Sequence, residues 1–173
     1  MLRRAFTQRR TGRTGPVLLE LPSDILSAEL SEDTPTDYAV VNRTRSSGDL
    51  QDIKLAAKML LGAQRPIIQA GQGVLYASGT ASEKLQALAE LTGVPVMTSM
   101  AGKSAFPETH PLSLGTRSST TTDMVVHFLD KSDLVFGIGT SFTRIHHGMD
   151  KFDDKTLVQI TNCSDDLNKD YDV

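Results

Sequence analysis

From residue 49 onward the chain alternates short apolar runs with stretches of helical periodicity, and few architectures satisfy that alternation. Ile53, Ala56, Ala57, Leu60 and Leu61 recur at helical spacing, with Ser47 or Asp49 able to cap the start. Pro66-Ile-Ile-Gln-Ala70 is a compact run that ends in Gly71 and Gly73. A second helix follows, with Ser82 as its cap, Leu85, Leu88, Ala89 and Leu91 on one side, and Gly93 as its stop. Val94-Pro-Val-Met-Thr98 is the next strand, and a loop runs from Ser99 to Thr122. Met124, Val125, Phe128 and Leu129 make a short helix, and Asp133–Ile138 and Leu157–Ile160 are two further strands. Runs this short and this apolar are strands buried on both faces. The pattern therefore predicts an α/β fold, a parallel sheet with helices on both faces.

The residues before this region read differently. Residues 1–28 hold a short helical stretch with Leu2, Ala5 and Phe6 on its apolar side, a Thr11–Pro16 turn, and the strand-like run Val17-Leu-Leu-Glu-Leu21. Pro22 ends that run because proline cannot donate to a ladder. Residues 29–50 are poor in large apolar side chains, rich in Ser, Thr, Asp and Glu, and include Pro35 and Gly48, so they read as a linker. Only 13 residues follow Ile160, with no helix to cover the sheet. Both ends read as cuts through larger units.

Composition excludes several classes. With 39% hydrophobic and 23% charged residues the chain is an ordinary globular sequence. No apolar run approaches the roughly 20 residues of a membrane helix. Arg3, Arg4, Arg9, Arg10 and Arg13 precede the first acid, Glu20, which suits a solvated helix end, a transit peptide or a basic arm. A net charge of -3 gives no global reason to expect nucleic acid. The single Cys163 permits no intramolecular disulfide, and with no apolar leader after the arginines the expected location is cytoplasmic.

In an open parallel sheet, ligands bind beyond the carboxyl ends of the strands. Three small-residue turns fall there: Ala70-Gly-Gln-Gly73, Thr98-Ser-Met-Ala-Gly102 and Gly137-Ile-Gly-Thr-Ser141. The residues singled out for a ligand edge are Gly71, Gly73, Thr98, Gly102, Gly139, Thr140, Ser141 and Phe142. Motif tests narrow what binds. A dinucleotide fingerprint from Gly71 requires a small residue where Tyr76 stands. Gly102-Lys-Ser104 ends like a phosphate loop, but Met97 occupies the position of its first glycine. His110, His127, His146 and His147 have no metal-ligand spacing, Cys163 has no motif partner, and Asp165, Asp166, Asp170 and Asp172 read as a solvated acidic tail. The residues alone name no reaction and no metal.

Taken in order, the motifs resemble a family. Thr11-Gly-Arg-Thr-Gly-Pro-Val-Leu-Leu-Glu-Leu-Pro-Ser-Asp24 is similar to the closing segment of the pyrimidine-binding domain of thiamine-diphosphate enzymes of the acetolactate synthase type. Arg65–Val74, Gly93–Thr98, Gly102–Pro111, Leu114-Gly115, Asp133–Phe142 and Asp166–Lys169 resemble successive pieces of that family's central domain. The resemblance implies 1–28 as the tail of the pyrimidine-binding domain, 29–50 as a linker and 51–173 as an incomplete central Rossmann-like domain. It implies a parent, a homodimer or homotetramer, that also carries the pyrimidine- and diphosphate-binding domains. There, a glutamate of the first domain activates the thiazolium carbon of thiamine diphosphate, and a Gly-Asp-Gly motif with a later Asn holds Mg2+ and the diphosphate. No Gly-Asp-Gly occurs in this chain, and its 28 leading residues are too few to include that glutamate's strand. Central domains of the family bind FAD, ADP or nothing. Thr116–Ser119 here lack the glycine usual after Gly115, and Thr161 and Cys163 stand where acids are usual, which leaves all three outcomes open.

Two functions follow. One is part of a thiamine-diphosphate-dependent 2-oxo acid decarboxylase or carboligase, whose covalent chemistry belongs to the cofactor. The other is a stand-alone nucleotide-binding or interaction module without catalysis.

Overall fold

A computed structural model describes the chain apart from residues 35–38, 43, 45, 78 and 145–151. Pro35, His146 and His147, read above as linker and non-ligand positions, lie outside the described residues. The chain divides into two units, Met1–Ser47 and Gly48–Val173.

The first unit contains helices α1 (Leu2–Arg10) and α2 (Ser23–Leu26). None of its described residues is buried. Arg9 and Arg10 occupy the last turn of α1, where cations suit the helix dipole. Arg10 lies 5.9 Å over the Phe6 ring and donates to the Val41 carbonyl at 3.2 Å. The strand expected over Val17–Leu21 does not form; these residues take no regular structure. A strand needs a neighbour to receive its N–H and C=O groups, and none of the paired strands lies in this unit.

The second unit holds α3 (Leu50–Gly62), β1 (Pro66–Ala70), α4 (Gln72–Tyr76), α5 (Ala81–Thr92), β2 (Val96–Ser99), β3 (Ser113–Arg117), α6 (Asp123–Lys131), β4 (Leu134–Ile138) and β5 (Thr156–Ile160). All five strands are parallel, in the order β3-β2-β1-β4-β5. Successive side chains point to opposite faces, so the same strands supply two cores. Ile68, Val96, Phe136 and Val158 pack under α3, α4 and α5 through Leu60, Val74, Leu85 and Ala89. Ile67, Met97, Val135 and Leu157 pack with Val125 and Leu129 of α6 and with Phe142, Phe152 and Tyr171. The α/β architecture read from the sequence is the one observed.

Local differences have local causes. Asp49 caps α3 by accepting from the Gln51 N–H at 2.7 Å. Helix α5 starts two residues earlier than expected, with Thr80 rather than Ser82 at its N-cap, and ends at Gly93 in the left-handed region (φ 69°). The long loop after β2 contains an unexpected strand, β3, whose Ser-Leu-Gly-Thr-Arg sequence has too few apolar residues to announce itself. The amino edge is tied by polar contacts. Asp133 accepts from the backbone N–H groups of Gln64 and Arg65 at 2.7 and 2.9 Å. Lys155, its side chain 2% exposed, donates to the Ser132 carbonyl at 3.1 Å. Desolvation by neighbouring atoms opposes the charge on the exposed Asp133, but the surrounding N–H groups outweigh it and hold the carboxyl below its ordinary range.

Candidate functional site: the carboxyl edge of the sheet

Strand β1 leads to β2 on one side, and after β3 the chain crosses back to place β4 on the other side of β1. The order therefore reverses between β1 and β4, and a sheet of this kind opens its ligand crevice at that reversal. Two of the three glycine turns meet there. The Gly71 N–H donates to the Ile138 carbonyl at 2.8 Å, and the Gly73 N–H donates to the Gly139 carbonyl at 2.9 Å. A methyl group on Gly71 would overlap the Gly139 carbonyl oxygen, and one on Gly73 would lie 2.7 Å from the Gly139 Cα. Gly102 closes the third turn, since a methyl there would meet the Ala70 carbonyl oxygen at 2.6 Å. The glycines are needed here because backbone packs on backbone, a requirement that holds with or without a ligand.

The remaining expected site residues are also engaged. Thr98 is buried, and its hydroxyl pairs with that of Thr116 at 3.0 Å. Thr140 accepts from the Gln69 amide at 3.2 Å through its hydroxyl and from the Gln159 amide at 2.9 Å through its carbonyl. Ser141 pairs with Thr143 at 2.8 Å, and both Thr140 and Ser141 stay partly exposed. Phe142 turns away from the edge: it is 3% exposed and edge-on to Phe152 at 5.4 Å. Gly139 and Phe142 both have positive φ (62° and 47°), so this turn is strained at a residue with a side chain.

Sequence reasoning placed all eight residues near one edge but missed Gln69 and Gln159, which hold Thr140 from two strands. A polar residue inside an apolar strand run was the available signal. The acidic tail is corrected in one position: Asp166 is 7% exposed, and its backbone carbonyl takes the second Gln159 hydrogen bond at 3.1 Å.

The described histidines are structural or exposed. His110 Nδ1 accepts from the Leu112 N–H at 3.1 Å, which leaves Nε2 as the donor to Glu90 at 3.2 Å. Hydrogen bonds from Gln86 first, and from His110 second, hold the Glu90 carboxyl below its ordinary value. His127 is exposed on α6. A shallow depression of about 380 Å³ lies elsewhere, lined by Ser82, Gln86, Ser104, Phe106 and Glu108 among others, and includes none of the expected site residues.

Fold and edge define a Rossmann-like domain with its switch point sealed by glycine contacts. The family model described as "Thiamine pyrophosphate enzyme, central domain" matches residues 53–173. Glyoxylate carboligase of Escherichia coli O157:H7 is 39% identical over 149 residues, covering 86% of this chain and 25% of the relative. A probable acetolactate synthase large subunit of Methanococcus aeolicus is 37% identical over 147 residues (83% and 24%), and an acetolactate synthase of Mycobacterium bovis is 33% identical over 154 (88% and 25%). A solved protein of Mycobacterium smegmatis, described as a thiamin diphosphate-dependent enzyme, has the same fold. Its TM-score is 0.68 at 23% identity, over 91% of this chain and 30% of that one. The chain belongs to the thiamine pyrophosphate enzyme family, by its central domain. It spans about a quarter of the length of the curated relatives it matches.

Proposed function

We propose that this chain supplies the central domain, over 51–173, of a thiamine-diphosphate-dependent 2-oxo acid decarboxylase or carboligase. Residues 1–28 would be the tail of the pyrimidine-binding domain and 29–50 the linker. The observation that carries the reading is the long match to glyoxylate carboligase across both faces of one parallel sheet.

Whether this chain's own residues fit the cofactor can be tested on their contacts. Among the described residues no three His, Cys, Asp or Glu side chains group to hold a metal ion. The N–H groups of Gly71, Gly73 and Gly139 already donate to carbonyls of the sheet edge, so the glycine turns are poor cradles for a diphosphate. The residues present do not fit thiamine diphosphate with Mg2+. In this proposal the cofactor, which supplies carbanion stabilisation when bound, is held by the pyrimidine- and diphosphate-binding domains of a homodimeric or homotetrameric, cytoplasmic parent. This chain's part is to fix the spacing of those domains.

The test is a chimera in which this chain replaces the matching segment of glyoxylate carboligase. The expected result is retained, thiamine-diphosphate-dependent consumption of glyoxylate; a folded chimera without turnover contradicts the proposal.

A second reading, a nucleotide-binding module without catalysis, is favoured by Thr140 and Ser141, two partly exposed hydroxyl-bearing residues that follow β4. FAD or ADP would lie across Gly71, Gly73, Thr98, Gly102 and Gly139–Phe142. Thermal unfolding with each nucleotide tests it: at a hundred times its dissociation constant a ligand adds about 2.7 kcal/mol. No shift with either nucleotide removes this reading.

A further inference from the structure

We infer that Gln69 and Gln159 are positioning residues: they pin the strained turn after β4 and couple it to the segment after β5. Gln69, Gly137 and Gln159 are register partners across β1, β4 and β5, in one row on the face that carries Ile67, Val135 and Leu157. Every other described side chain that these three strands contribute to this core is aliphatic. An amide buried there is costly unless something requires its hydrogen bonds.

Both amides turn to the same residue. Gln69 Nε2 reaches the Thr140 hydroxyl at 3.2 Å, and Gln159 Nε2 reaches the Thr140 carbonyl at 2.9 Å. Each does so while its Oε1 stays buried without a hydrogen-bond partner. Gln159 Nε2 also reaches the Asp166 carbonyl at 3.1 Å, so one amide group bridges the two loops. Gly137, between the glutamines, admits the Phe142 ring, because a methyl there would overlap the ring and lie 2.8 Å from Thr140 Cγ2. The row is thus one device. The glycine seats Phe142 and the two amides hold Thr140, so that a turn with positive φ at Gly139 and Phe142 keeps a single conformation. A space-filling role would be met by methionine at either glutamine. A pinning role would not.

Amide hydrogen exchange on the chain separates the two roles. The Gly139 N–H, bonded to the Ile160 carbonyl at 2.8 Å, and the Asp166 N–H, bonded to Cys163 at 3.2 Å, report the two loops; the Ile68 and Val96 N–H groups report the sheet. Gln159→Met should speed exchange at Gly139 and Asp166 by about tenfold or more while Ile68 and Val96 stay protected. Gln159→Glu should do more, because its carboxylate faces two carbonyl oxygens. Gln69→Met should act at Gly139 and leave Asp166 unchanged. Unchanged exchange at Gly139 and Asp166 in Gln159→Met overturns the inference. So does loss of protection at Ile68 and Val96 to the same degree in both methionine variants, which would make the amides general core residues.

On the nucleotide reading of this edge, a loosened turn should also weaken ADP binding in Gln159→Met, and ADP titration of the same variants examines that separately. If the wild-type chain takes no ADP, that reading fails while the exchange result still decides the pinning.

Discussion

Two apolar runs in this chain have similar composition and opposite fates. Val17-Leu-Leu-Glu-Leu21 takes no regular structure, and Leu18 is 86% exposed. Leu134-Val-Phe-Gly-Ile138 is the fourth strand of the sheet, with Leu134 and Phe136 each 4% exposed. Composition does not separate them; neighbours do. Strand β4 has β1 on one side and β5 on the other, so every step of its backbone has a partner. The first run has no paired strand beside it among the described residues of its unit. An apolar run is therefore a request for a sheet, and the strand appears only where the sheet exists to receive it.

That contrast can be broken by substitution, with stability followed by circular dichroism in urea. Ile68→Ala, at a site with 0% exposure, should cost about 2–5 kcal/mol, whereas Leu18→Ala should stay within about 0.5 kcal/mol. Equal losses would show that Val17–Leu21 is buried in solution. Gly73→Ala should cost about 1–3 kcal/mol, since its methyl has only the Gly139 backbone to displace. A neutral result there would mean that the seam is open enough for a ligand.

At the opposite edge, Asp133→Asn should cost about 1 kcal/mol, a modest figure because the side chain is exposed. The Asp133 carboxyl is lowered on folding, so its contribution is full above its ordinary value of 3.8 and fades as the pH falls through the folded value. The gap between wild type and Asp133→Asn should therefore narrow in acid. A gap independent of pH would exclude the charge. Smallest of all, Ser104 sits at φ 75°, and Ser104→Gly should gain about 0.5 kcal/mol, relief of strain less the added freedom of the unfolded chain. A loss instead would mean that the serine hydroxyl stabilises this turn.

The sheet was legible because its central strands are short, apolar and separated by capped helices; Asp49 and Gly93 mark their ends as the sequence suggested. Strand β3 was not legible. Its Ser113, Gly115 and Thr116 satisfy an edge position, where burial is partial and the apolar signal weak. The candidate site was legible as a place. Glycines after strands do gather at one edge, but sequence could not show that Gly71, Gly73 and Gly139 spend their freedom on each other. Gln69 and Gln159 were missed for a different reason. Each stands out as a polar residue in an apolar strand run, but their shared hold on Thr140 lies in register across strands far apart in sequence, which the folded sheet reveals.

On the proposal above, the chain is a scaffold that leaves the thiamine diphosphate chemistry to other domains, so it should neither hold the cofactor nor turn over a 2-oxo acid. Calorimetric titration of the purified chain with thiamine diphosphate and Mg2+, followed by incubation of the same sample with a 2-oxo acid, tests this most directly. No saturable heat and no acetolactate or aldehyde are expected; binding with measurable product would mean that the chain itself carries the cofactor chemistry.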